Sequence, residues 1–184
     1  AYPVVAQFNQ LERNMEKGRQ KDIIRIGSTI TVGSCLISNV LNDFDRLMPE
    51  TETCTFIGNT HTIEEKLLKS ELDIALVEGE IHHPDLVMVP GIRDFLVLGC
   101  AANHPFASRD AIHVKDLEGR KFIMREQGSG TRALFDRFIK RHSLNIRTSW
   151  EATCPDAFRN AILYNQCLAV ISVRLLERDI RSGQ

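Results

Sequence analysis

The 184 residues, 43% hydrophobic and 26% charged, have the make-up of a folded chain of one domain or two small lobes and lie far from the composition of disordered sequences. With 23 basic against 24 acidic residues, the net charge of −1 offers no footprint for a polyanionic backbone, which excludes nucleic acid as a direct partner of this segment. No apolar stretch reaches the roughly 18 residues of a membrane span and no signal-peptide pattern opens the chain, so a cytoplasmic location is expected; five scattered cysteines read as free thiols of a reducing compartment.

In chain order, Val4, Val5, Phe8, Leu11 and Met15 fall on one stripe and predict an amphipathic helix over Pro3–Arg19, packed on this domain or leading in from an upstream module. Ile23–Ser28 is a β-branched strand ending in small residues. A single helix is expected from Thr31 to Leu47, with Val32, Leu36, Ile37, Val40, Leu41 and Phe44 on its apolar face and Pro49 as its stop. A strand over Thr53–Ile57, a helix from about Thr60 to Leu72 and a strand over Asp73–Val77 complete a β-α-β-α-β order, which implies a parallel sheet.

Leu86–Pro90 and Asp94–Ala102 are two further extended runs, the second apolar enough to lead into a new lobe. After His104-Pro105-Phe106 the pattern restarts: strand Phe122–Arg125, helix Thr131–His142, strand Arg147–Ala152, helix Pro155–Asn165, strand Leu168–Ser172 and a helical tail from Val173. The result is an α/β architecture of two lobes around a cleft.

In such sheets ligands bind beyond the carboxyl ends of the strands. The residues there are Ser28, Thr29 and Thr31; Asn59 and Thr60; Glu78; Gly128, Ser129, Gly130, Thr131 and Arg132; and Cys154. Glycines admit a ligand to the backbone, helix N-termini carry partial positive charge, and hydroxyls donate, so the pattern suits a small anion such as carboxylate, sulfate or phosphate. A plain Ser/Thr-capped helix is the competing reading of Ser28–Thr31 and of Gly128–Arg132 alike.

Catalytic and metal chemistry is read against. His82 and His83 are adjacent in a turn and point apart, with no second ligand pair at zinc spacing, so no metal is assigned. A Ser129 or Cys154 nucleophile lacks a recognisable histidine base, and neither the phosphate-loop lysine nor the dinucleotide glycine fingerprint is present, so no cofactor and no enzyme activity are expected.

Ile24-Arg25-Ile26-Gly27 before a Ser/Thr-rich turn, Leu47-Met48-Pro49, Leu72-Asp73-Ile74-Ala75-Leu76 and His104-Pro105-Phe106, in this order and spacing, resemble the effector-binding domain of LysR-type transcriptional regulators over nearly the whole chain. The resemblance implies two Rossmann-like lobes hinged around a cleft, as in type 2 periplasmic binding proteins: a linker helix over 1–22, lobe I over 23–93 and lobe II over 94–184. It places the small anionic effector against the strand-end residues just named, Cys154 included. It also implies an absent winged helix-turn-helix through which alone the protein meets DNA, and a homodimer or tetramer formed through lobe I. The Gly-Ser-Gly-Thr-Arg segment resembles the family branch of sulfur, nitrogen or carbon assimilation. Family members continue with a strand returning to the first lobe, so lobe I is expected to lack that segment here. A stand-alone solute-binding protein for transport is the alternative, and a small hydrolase or transferase the third.

Overall fold

The computed structural model describes residues 22–81 and 83–183; the lead-in helix expected over Pro3–Arg19, and His82, lie outside the described residues. The chain separates into two compact units. The first runs to Val77 and takes in Ile81–Val87; the second comprises Glu78–Glu80 and the chain from Met88 onward.

The first unit is built on β1 (Ile23–Thr29), the middle strand between β2 (Glu52–Gly58) and β3 (Ile74–Leu76), all parallel. Gly27 lets Leu72, Ala75 of β3 and Ile63 of α3 (Thr60–Leu68) close on β1, since a β-carbon there would lie 2.7, 3.0 and 3.2 Å from their side chains. Asp73, just before β3, accepts from the Arg25 backbone amide at 2.8 Å and from its guanidinium at 3.0 and 2.6 Å, fastening the two strands where they begin. This pairing raises the Arg25 pKa above its ordinary value.

The helix expected over Thr31–Leu47 is two helices, α1 (Ile30–Cys35) and α2 (Ile37–Leu47). Leu36 stands at φ −127°, ψ −38°, outside helical geometry. Gly33, Ser34 and Cys35 are weak helix formers, and Ser34 Oγ donates to the Ile30 carbonyl at 2.8 Å, a bond that favours a bend. Apolar periodicity reads straight through such a break. The apolar face of α2 is covered at Ile37 and half-buried at Leu41 and Phe44, while Leu47 at its end is 79% exposed. The third helix ends at Leu68 rather than Leu72, because Ser70 turns the chain with φ +56°.

The extended run Leu86–Pro90 forms no strand. Val87 and Val89 are 91% and 82% exposed, so apolar content without a pairing partner makes no sheet.

The second unit holds a four-stranded sheet ordered β4 (Leu96–Gly99), β7 (Leu168–Ser172), β5 (Lys121–Arg125), β6 (Arg147–Ala152). β4 runs antiparallel to β7 and the other pairs are parallel. The inner strands β5 and β7 are covered on both faces, which is why they read as apolar runs, whereas the edge strand β6 is polar and exposed. Ile123, Ala169 and Ile171 face a core with Phe158, Ala161 and Ile162 of α5 (Pro155–Asn165). Phe122, Met124 and Leu168 face another with Phe106, Leu117 and Phe135 of α4 (Gly130–Arg141). α6 (Val173–Ser182) follows β7 directly and is tied to α5 by Arg159 Nε on Asp179 Oδ1 at 2.6 Å.

Candidate functional site

In the first unit the parallel register sets Thr29 opposite Gly58, so the ends of β1 and β2 stand side by side. That brings Ser28, Thr29 and Thr31 to one edge with Asn59 and Thr60. The four hydroxyl residues are buried, Ser28 completely and Thr60 at 6% exposure. Buried hydroxyls need partners; Ser28 Oγ donates to the Thr29 carbonyl at 3.1 Å. Thr29 is the N-cap of α1 by position without a side-chain cap bond, whereas Asn59 caps α3, its Oδ1 accepting from the Thr62 amide and hydroxyl at 2.9 Å each.

In the second unit Arg125 lies opposite Ala152, so β5 and β6 deliver Gly128–Arg132 and Cys154 to one edge as well. Gly128 turns the chain at φ +86° into α4. Ser129 is the N-cap, its Oγ 3.5 Å from the Arg132 amide, while Cys154 is exposed and caps α5 without a side-chain bond.

Glu78, grouped from sequence with the loops of the first lobe, is found in the second unit. Thr131 Oγ1 donates to Glu78 Oε1 at 2.8 Å, and Arg125 Nη1 lies 3.7 Å from the same oxygen. Arg132 does not stand open as a ligand clamp. Its Nε donates to both Asp136 oxygens at 2.9 Å, and its Nη1 to the Arg125 carbonyl at 2.8 Å and to Glu151 at 3.2 Å. It thus pins the start of α4 to the ends of β5 and β6.

The sequence reading missed Arg125 and Glu126, though it named Glu78. The Arg125 side chain is only 4% exposed and is held in a fork by Glu126, Nε on Oε2 at 2.9 Å and Nη2 on Oε1 at 3.0 Å. A charged Arg-Glu pair closing the otherwise apolar Phe122-Ile123-Met124 was the available signal.

Among the described residues no group of three or more His, Cys, Asp or Glu side chains is placed to hold a metal ion, and no helix is long and apolar enough to cross a membrane. His83 Nδ1 accepts from the Asp85 amide at 3.2 Å, as a turn residue does. A separate cavity of about 300 Å³ opens between β4, α5 and α6, lined mainly by apolar side chains with the Arg159–Asp179 pair among them.

The strand ends of both units thus carry hydroxyls, backbone amides and paired charges. The sequence matches the family described as the LysR substrate binding domain over residues 17–184. It is similar to the HTH-type transcriptional regulator CysL of Bacillus subtilis, 27% identical over 160 residues that make up 87% of this chain and 54% of that protein. It is likewise similar to the RuBisCO operon transcriptional regulator of Acidithiobacillus ferrooxidans, 24% identical over 91% of this chain and 54% of that protein. Among solved structures, the Synechocystis PCC6803 CcmR regulatory domain, in complex with 2-PG, is 27% identical with a TM-score of 0.79, over 84% of this chain and 74% of that one. The chain spans about half the length of the curated relatives it matches.

Proposed function

Because the chain belongs to the LysR substrate-binding domain family, whose members are regulator effector-binding domains and not enzymes, we propose that it senses a small anionic effector for a LysR-type transcriptional regulator. The fold is the type 2 periplasmic-binding-protein-like fold of that family, and the relatives are transcriptional regulators rather than transporters, which removes the transport reading.

The observation that carries the proposal is the set of buried hydroxyls at the carboxyl ends of parallel strands: Ser28, Thr29, Thr31 and Thr60 in one unit, Ser129 and Thr131 in the other. Strand ends beside helix N-termini are where α/β sheets hold anions, and a hydroxyl there can turn its hydrogen bond from a protein acceptor to a bound oxyanion. In this reading Asn59, Glu78, Gly128, Gly130, Arg132 and Cys154 border the same strand ends. The 2-PG complex of the CcmR regulatory domain supports a small-molecule effector. DNA contact is assigned to a helix-turn-helix elsewhere in the full-length protein. The reading also takes the protein to be cytoplasmic and a homodimer or tetramer formed through the first unit, where Val40 and Leu47 of α2 are exposed.

Calorimetric titration of the chain with a panel of small carboxylates, phosphate esters and sulfate tests this. Ser28→Ala and Thr131→Val are each expected to weaken the best anion by about tenfold, the worth of one hydrogen bond to a charged group. Unchanged affinity in both variants would place the effector elsewhere.

A further inference from the structure

The start of α4 already holds a carboxylate, and it is the chain's own. Glu78 Oε1 accepts the Thr131 hydroxyl at 2.8 Å, and its side chain is only 16% exposed. Its neighbours hold it there. Gly79 packs its backbone against Gly130, and the Glu80 carboxylate accepts from Arg137 Nη1 at 2.7 Å.

The surrounding charges leave little room for a second anion. Arg125 is already matched by the fork from Glu126 before Glu78 is counted, and Arg132 is shared between Asp136 and Glu151. Two guanidiniums therefore face four carboxylates, and the helix N-terminus adds only about half a positive charge. An anion arriving beside Glu78 would meet a like charge within a few ångströms, which is unfavourable for both.

We propose that Glu78 is an internal competitor for the anion seat at α4, so that an effector anion takes the Thr131 hydroxyl by displacing the Glu78 carboxylate. This rests on the reading that the start of α4 contributes to effector binding. The competitor sets a threshold: a weak anion loses to an intramolecular carboxylate, and only a ligand with further contacts displaces it. Displacement also frees one of the ties that hold Glu78–Glu80 on α4, so occupancy of the seat is converted into a change in that segment.

The test is calorimetric titration of inorganic phosphate and of sulfate into the chain and into Glu78→Gln. Glutamine keeps the oxygen that accepts from Thr131 and leaves Arg125 paired with Glu126, so the fold should be retained; Glu78→Ser carries the same expectation as a second variant. Removal of one like charge at this range is expected to tighten both anions roughly tenfold. Glu80→Gln, which loosens the same segment without vacating the seat, should bind as the parent does. Equal or weaker binding by both Glu78 variants, or the same gain in Glu80→Gln, would overturn the competitor role and leave the effector function standing. Absence of phosphate and sulfate binding in the parent and the Glu78 variants alike would overturn this inference, while the wider anion panel decides the proposed function.

Discussion

Gly79 and Gly130 lie so close that a β-carbon on Gly79 would stand 2.8 Å from the Cα of Gly130. Gly79 also holds φ +93°, a conformation that side chains rarely adopt. The approach is what lets Glu78 reach Thr131 on one side and Glu80 reach Arg137 on the other.

Gly79→Ala should therefore cost about 1–3 kcal/mol, from backbone strain and from the clash with Gly130. Urea unfolding followed by circular dichroism measures the loss. A stability equal to the parent's would mean that the segment relaxes freely away from α4.

Arg125→Met should be more damaging. It removes the one buried cation that faces both Glu78 and Glu126, leaving two poorly exposed carboxylates unmatched. Breaking such a pair by deleting one partner costs about 3–5 kcal/mol. Arg125→Lys should recover only part of this, since an ammonium does not reproduce the fork on Glu126. Denaturation midpoints of the two variants decide it, and a stable Arg125→Met protein would show the network to be dispensable.

Gly27→Val should disturb the first unit. The new side chain would be driven into Leu72, Ala75 and Ile63, all within 3.2 Å of the added β-carbon. Overpacking of this kind costs about 1–3 kcal/mol. Hydrogen exchange read strand by strand should show early opening of β1 and β3, while β5 and β7 keep their protection.

The pH dependence of stability should carry a signature of His104. The ring is buried, its Nδ1 accepts from the Phe106 amide at 3.0 Å, and burial followed by the nearby Arg120 holds its pKa below the ordinary value. The neutral ring is the folded form, so its contribution is full above the unfolded value of about 6.5 and is lost as pH falls below it, towards the lowered folded value. Unfolding midpoints at pH 7.5 and 5.5 should therefore differ more for the parent than for His104→Asn. An equal difference in both would assign the acid sensitivity to other groups.

The amino-acid order alone determined the α/β class and most of the elements of the second unit. Pro155 opens α5 at its first turn and Leu168–Ser172 is one apolar run, and both signals are local in the chain. The strand-end hydroxyls were legible for the same reason, because a Ser/Thr cap and the strand before it are neighbours in sequence. Only the tertiary structure decided that Leu86–Pro90 finds no partner strand and that Arg132 is spent on Glu151 and the Arg125 carbonyl as well as on Asp136. It also brought Glu78 onto Thr131, 53 residues away. Propensity and periodicity act over a few residues, whereas the partner of a charged side chain is set by which strand ends the packed sheet brings together.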